Sequence, residues 1–390
     1  MFDVLSALRD LVAKEGSDLH LKVGAAPLFR VHGDLAHDSG ADDLTSDDTN
    51  GALKTLLSDP LKLEEFSLEH EVDFSYEIEG VARFRINAFQ QRGLTSLVCR
   101  AIPHRISTIE ELSLPVVIRE LAEEERGIIL LTGTTGSGKS TTLAAMIDHM
   151  NNTMSKHIVT IEDPIEFVHS DKRSAINQRE VGMDTASFKR ALRRVLRQDP
   201  DVILVGEVRD LETADIALEA ALTGHLVLST LHTNDAVGAV PRLINLGVKA
   251  VSIGPALSLV IAQRLVRVLC KDCKKPIDTD AAVAEKIKKF LDALPAKVDR
   301  SLYVNYKMYA PVGCEKCNGI GYKGRVGVFE FLEGGSDLEK TILHEASEVA
   351  LREVAARQEM VTMQQDGILK VLEGETTFEE VEGATGDLAW

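Results

Sequence analysis

The chain has 390 residues, 44% hydrophobic and 27% charged, with a formal net charge of −17 at pH 7. At roughly 150 residues per domain this length suggests two or three domains with ample core. The acidic balance argues against nonspecific attraction to nucleic acid or anionic lipid and fits a basic protein partner better.

The start, MFDVLSALRDLVAKEG, places Asp3, Arg9 and Asp10 inside an apolar pattern, which predicts an amphipathic helix and no signal peptide. Period-two runs at Leu19 to Val23 and Leu28 to Val31, separated by Gly24 and Pro27, predict a strand pair. Asp38 to Asp48 reads as an acidic loop and Leu53 to Leu63 as a helix. Asp73 to Ile78, Val81 to Phe89 and Leu94 to Ile102 read as three strands, the first two joined by a tight turn at Glu79-Gly80. The prolines of Pro103 to Pro115 mark a linker, so the expected organisation is a small α+β domain over 1–103, a linker over 104–115 and a larger domain over 116–390.

From about Arg126 short apolar runs alternate with helical segments. Ile128 to Leu131, His157 to Ile161, Val202 to Val205 and Leu226 to Leu231 predict a parallel sheet covered on both faces. The apolar segment Val251 to Leu265 is broken by Gly254, Pro255, Ser258, Gln263 and Arg264 and falls short of the ~20 apolar residues of a spanning helix.

Gly133-Thr134-Thr135-Gly136-Ser137-Gly138-Lys139-Ser140 lies between an apolar run and a helical pattern beginning at Thr141. This is the phosphate-binding loop pattern. Its glycines let backbone N–H groups wrap phosphates, Lys139 reaches the β and γ phosphates, and Ser140 binds Mg²⁺. Hydrolysis further requires a group that activates water, and Glu207 closes the buried run Asp201 to Glu207, where ligands gather in open α/β sheets. Glu207 is the candidate general base.

Three further features each fit two roles. Glu162, Asp163 and Glu166 cluster around Pro164, as ligands of Mg²⁺ or as solvated loop acids. Phe188 to Arg197 reads as a helix with Arg190, Arg193 or Arg194, and Arg197 along one stripe, as phosphate-facing cations or as a solvated face. His225 and His232 bracket the run Leu226 to Leu231, as a sensor of the γ phosphate or as structural hydrogen-bonders.

In order along the chain, GTTGSGKST, TIEDPIEF, LRQDPDVILVGEVRDLETA and TGHLVLSTLHTNDA resemble the secretion ATPase superfamily, the hexameric motors of type II secretion and type IV pili (GspE, PilB and PilT types). The resemblance implies a RecA-like P-loop core with a PAS-like N-terminal domain. It implies that Gly133 to Thr141 form the Walker A loop. Glu162, Asp163 and Glu166 would form an aspartate box, and Gly206-Glu207 a Walker B motif with glycine in place of its usual aspartate. His225 and His232 would form a histidine box. It further implies that Arg193 and Arg197 act near the γ phosphate, and that Arg85 and Arg100 reach a nucleotide from the N-terminal domain. The start of the chain resembles the retraction type; the C-terminal pattern and the cysteine pairs resemble the assembly type.

Cys270-x-x-Cys273 and Cys314-x-x-Cys317, separated by residues 274–313, lie in a chain without a secretion signal, which points to a reduced compartment and to Cys₄ zinc ligation rather than disulfides. The segment between them, 270–317, is expected to be a small insertion holding out a helix over Ala281 to Lys289. Cys99 reads as a buried apolar residue. Together with these residues, the resemblance implies an ATP-hydrolysing homohexamer using ATP, Mg²⁺ and Zn²⁺ at the cytoplasmic face of the inner membrane. It would drive a platform protein to assemble a pilus or secretion pseudopilus and touch the membrane only through that partner. Pilus retraction is the alternative direction, and a DNA-translocating motor is the alternative class.

Overall fold

The computed structural model describes residues 2–31, 34–38, 40–102 and 105–389. The chain separates into two units, Met1–Ile106 with Pro164–His169, and Ser107–Asp163 with Ser170–Trp390. The expected boundary at Pro103 and the start of the expected linker at His104 lie outside the described residues.

In the first unit, helix α1 (Val4–Ala13) is capped by Asp3, whose side chain accepts from Ser6 N. Strands β1 (Gly16–Leu21), β2 (Leu28–Val31) and β3 (Asp34–His37) follow, then helices α2 (Ser46–Leu56) and α3 (Pro60–Glu69), then β4 (Glu71–Ile78), β5 (Ala82–Gln91) and β6 (Leu94–Ile102). The six strands form one antiparallel sheet in the order β3-β2-β1-β6-β5-β4. Leu8, Leu11, Leu19, Phe84, Ile86 and Leu97 are fully buried in its core, while the alternate residues of each strand form a polar face, as the period of two requires.

Two expectations fail here. Asp38 to Asp48 is not loop throughout, because Thr45 and Asp48 form a capping box that starts α2 at Ser46. Nor is Leu53 to Leu63 one helix, because Asp59 caps a new helix with Pro60 at its first position.

The second unit opens with α4 (Val117–Ala122), β7 (Gly127–Thr132), α5 (Lys139–Thr153), β8 (His157–Glu162), β9 (Ala175–Glu180) and α6 (Phe188–Val195). It continues through β10 (Val202–Val205), α7 (Leu211–Leu222), β11 (Leu226–Leu231), α8 (Ala239–Asn245), α9 (Ala250–Ala256) and β12 (Leu257–Leu269). After β13 (Lys275–Ile277), α10 (Ala281–Ala293) and β14 (Met308–Ala310), β15 (Tyr322–Glu333) returns along β12, and helices α11 (Ser336–His344), α12 (Glu348–Arg357), α13 (Met363–Leu372) and α14 (Phe378–Thr385) close the chain.

The main sheet runs β15-β12-β7-β11-β10-β8-β9. Its core is parallel, but β15 pairs antiparallel with β12, so the sheet is mixed rather than wholly parallel. The broken apolar segment Val251 to Leu265 is the end of α9 running into the 13-residue strand β12. Alternate residues of β7 bury into opposite faces, Ile128 and Leu130 against α7 and α9 and Ile129 and Leu131 against α5. Among the described residues no helix is long and apolar enough to cross a membrane.

Candidate functional site

The Gly-rich loop leaves β7 after Thr132 and enters α5 at Lys139. Two backbone demands explain its glycines. Gly138 caps the helix in the left-handed region at φ +90°. At Gly133 a Cβ would come within 2.5 Å of both the Gln263 carbonyl and Ser137 Oγ. The loop therefore lies flat against β12.

Lys139 is buried, with Nζ donating to the carbonyls of Gly133 at 2.9 Å and Thr134 at 3.0 Å. Among the described residues Ser137 Oγ is buried without a hydrogen-bond partner. A buried ammonium curled onto its own loop and an orphaned hydroxyl, both at the N-terminus of a 15-residue helix, form a cradle that an anion satisfies, since the first-turn N–H groups also lack helical partners. The adjoining cavity of about 390 Å³ is lined by Gly133, Thr134, Thr135, His232, Thr233 and Asn234. Its two walls are tied together, because Thr233 N donates to Thr132 Oγ1 at 2.8 Å. Ser140 and Thr141 are half-buried in the first turn of α5. These residues fit the phosphates of a nucleotide, and Ser140 stands where a phosphate-bound Mg²⁺ requires a hydroxyl.

Beside the cradle, the C-terminal ends of β11, β10 and β8 follow in order. Glu207, just past β10, is mostly buried, with 13% of its side chain exposed. It is ion-paired to Arg209, and His232 Nε2 lies 3.7 Å from Glu207 Oε2. The hydrogen bond that Arg209 donates to Glu207 raises the pKa of Arg209. Glu162 ends β8, where its Oε1 accepts from Thr160 Oγ1 at 2.6 Å and Gln178 Nε2 at 3.1 Å. A Cβ at Gly206 would lie 3.3 Å from the Ile161 carbonyl and 3.5 Å from Glu162 Cα, so a side chain there would press on the strand that carries Glu162. Asp163 is exposed, and its charge also acts on Arg209. Glu166 belongs to Pro164–His169, which groups with the first unit, so the acidic trio is divided.

Several expected residues fall elsewhere. His225 precedes β11 at the opposite end of the sheet from the cradle. Its carbonyl accepts from Gly127 N, and its Nδ1 lies 2.9 Å from the Ala220 carbonyl. Since Leu226 pairs with Gly127 and Leu231 with Thr132, the length of the strand, roughly 20 Å at ~3.3 Å per residue, separates His225 from the loop. It closes the turn after α7 and does not line the cavity.

The arginine helix ends at Val195. Arg197 sits in the turn beyond it, its N–H bonded to the Arg194 carbonyl, and so does not continue the stripe. Arg193 and Lys189 both pair with Glu212 on α7. In the first unit, Arg85 and Arg100 are directly opposite in the β5–β6 register, both exposed, and Arg100 is bound to Asp18.

Two residues beside the cradle escaped the sequence reading. Gln263, fully buried on β12, accepts from Thr142 Oγ1 at 2.9 Å and so locks α5 to the sheet. Arg264 donates to the carbonyl and side-chain oxygens of Asn234 at 3.2 and 3.4 Å, bracing the loop that carries His232. The signal was a polar pair inside an apolar run.

The four paired cysteines come together. Sγ separations are 3.9 Å for Cys270–Cys314, 3.8 Å for Cys273–Cys317 and 3.7 Å for Cys314–Cys317, and all four lie within 4.8 Å. Four thiolates around a metal at ~2.3 Å form a tetrahedron with edges of ~3.8 Å, so the cluster fits a closed structural site. It clasps the base of the β12–β15 pair. The helix between the cysteine pairs is not simply held out, because Ile287 and Phe290 of α10 pack with Ile368 and Leu369 of α13.

The geometry agrees with what the chain is similar to. Residues 68–383 match the family described as Type II/IV secretion system protein. The type IV pilus retraction ATPase PilT of Pseudomonas aeruginosa is 46% identical over 262 residues, covering 65% of this chain and 76% of that protein. The type II secretion system ATPase E of Vibrio cholerae is 46% identical over 269 residues, and the type IV pilus assembly ATPase PilB of Myxococcus xanthus is 42% identical over 271. These matches cover 67% and 68% of this chain but 49% and 45% of those proteins, so the chain spans about half the length of its assembly and secretion relatives. A crystal structure of the pilus retraction motor PilT with bound ADP superposes with a TM-score of 0.79 at 34% identity, covering 99% of this chain and 98% of that one. With a phosphate cradle, a carboxylate at the neighbouring strand end and these relatives, the chain belongs to the Type II/IV secretion system protein family, as a motor ATPase of a pilus or secretion system.

Proposed function

We infer that the protein is a homohexameric motor that hydrolyses ATP to drive assembly of a type IV pilus or secretion pseudopilus. In this reading residues 1–103 are a PAS-like domain, 104–115 a linker and 116–390 a RecA-like ATPase domain with its four-cysteine subregion at 270–317. The protein works at the cytoplasmic face of the membrane, held there by a platform protein.

The loop Gly133 to Thr141 binds the phosphates, Lys139 exchanging its two carbonyl partners for phosphate oxygens. Glu207 orients and deprotonates the attacking water, and His232, 3.7 Å away, reports the state of the γ phosphate to the loop that Arg264 braces. Ser140 with Glu162 and Asp163 would hold Mg²⁺ through its waters, and the cation would neutralise charge on the phosphates. Arg193, Arg197, Arg85 and Arg100 supply further positive charge as the ring closes, Arg193 first giving up Glu212. ATP binding thus favours closure and hydrolysis releases it.

The observation that carries the assembly reading is the four-sulfur cluster, whose two cysteine pairs, like the C-terminal pattern, resemble the assembly type. Retraction is favoured by a different observation, the likeness to the retraction motor PilT along 99% of the chain. Deleting the gene and counting surface pili decides between them: bald cells support assembly, and hyperpiliated cells support retraction. A DNA-translocating motor is disfavoured by the net charge of −17; tight DNA binding at moderate salt would restore it.

A further inference from the structure

The polar face of the first unit's sheet contains a carboxylate to which neither the motifs nor the comparisons assign a role. Asp18 on β1 is only 4% exposed. Its Oδ1 accepts from Arg100 Nε at 2.7 Å, and its Oδ2 accepts from Ser17 Oγ at 2.8 Å and lies 3.8 Å from Arg30 Nε. The register dictates this arrangement, because Asp18 is directly opposite Arg30 on β2 and Arg100 on β6, while Arg100 is directly opposite Arg85 on β5. One row across four strands therefore reads Arg30, Asp18, Arg100, Arg85.

Burial by itself would raise the pKa of Asp18, but hydrogen bonds from Arg100 and Ser17 and the Arg100 charge outweigh it and leave the carboxyl below its ordinary value. The group is an anion at neutral pH. It touches Arg100 at the inner nitrogen, Nε, while the Arg100 side chain stays 66% exposed. A guanidinium anchored in this way holds its plane fixed and presents its two terminal nitrogens, the edge that engages two oxygens of a phosphate. Arg85, directly across, sets a second cation beside it. Like charges directly opposite on a sheet are unfavourable unless an anion joins them.

We propose that Asp18 is a positioning residue for Arg100, fixing the guanidinium so that it meets the terminal phosphate of ATP without first being ordered. This rests on the reading above that Arg100 acts on a nucleotide in the assembled ring. Asp18 itself touches no substrate. Its effect belongs to the step in which Arg100 stabilises developing charge, so it should appear in kcat rather than in KM for ATP.

The test is a double-mutant cycle on the full-length hexamer, with steady-state ATP hydrolysis and thermal melting recorded for Asp18→Asn, Arg100→Ala and the double variant. Removing an arginine that faces the transferred phosphate costs on the order of 10³ or more in kcat, and loss of its anchor is expected to cost ~10-fold, with KM for ATP within about twofold. Asp18→Asn should then change nothing further in the Arg100→Ala background, because the residue through which it acts is gone. If Arg100→Ala lowers kcat but Asp18→Asn does not, the positioning role is wrong and the reading of Arg100 stands. If Asp18→Asn lowers kcat equally in both backgrounds, Asp18 merely supports the fold and the proposal fails. Unchanged kcat in Arg100→Ala would remove the underlying reading and the proposal with it.

Discussion

His225 and His232 stand seven residues apart at the two ends of one buried strand. His232 faces a cavity, lies 3.7 Å from Glu207 and adjoins the Gly-rich loop. His225 directs its ring at the Ala220 carbonyl and closes a helix-to-strand turn. Strand polarity accounts for the contrast. In a parallel sheet every loop that leaves a strand end does so on the same edge, so the residues after β7, β8, β10 and β11 converge there, and those before the strands gather on the other edge. Two histidines that are equal in a motif are unequal in the fold.

Removing the proposed base, at the edge that carries the Gly-rich loop, should have the largest effect. Glu207→Gln is expected to lower kcat by ~10²–10⁴-fold while leaving ATP bound, measured by phosphate release and by equilibrium binding of a fluorescent nucleotide; unchanged turnover would move the chemistry away from this edge. Lys139→Ala removes charge-assisted hydrogen bonds worth about 1.5–3 kcal/mol, which corresponds to ~10–100-fold weaker nucleotide binding by titration. His232→Ala should reduce kcat by ~10-fold with little change in nucleotide affinity. His225→Ala should stay within about twofold in both constants, and its cost should be read in thermal melting, at about 1 kcal/mol for one lost hydrogen bond. Equal kinetic losses at the two histidines would break the comparison.

The four-cysteine clasp tests the same contrast from outside the crevice. Stripping metal with a chelator, or Cys273→Ser, should lower the melting temperature and release one zinc per chain by elemental analysis. With Mg²⁺ added back after the treatment, nucleotide affinity should be unchanged, since all four sulfurs stand around one closed site. A protein purified without metal and equally stable would remove the zinc assignment.

Legibility followed the range of the interactions involved. The Gly-rich loop, the Cys-x-x-Cys pairs, the turn at Gly80 and the short apolar strands of the sheet could be read because each depends on neighbours a few positions away. The helix break at Asp59-Pro60 is equally local, but the apolar spacing of Leu53, Leu56, Leu57, Leu61 and Leu63 runs through it and hides the capping signal. β12 was missed because a strand that pairs on both sides is apolar with polar exceptions. Gln263 and Arg264 are those exceptions, placed where β12 runs past the end of β7 to meet the loop.

From the sequence by itself follow the identity of the phosphate loop, the candidate carboxylates and the four thiols, since their chemistry is carried by residue type and spacing. Only the tertiary structure decided that the sheet is mixed, that Arg197 leaves its helix, that His225 lies at the edge away from the Gly-rich loop and that Asp18 holds Arg100 across 82 residues. Those outcomes depend on register and strand direction, which are settled by burying many side chains together and leave no local trace in the chain.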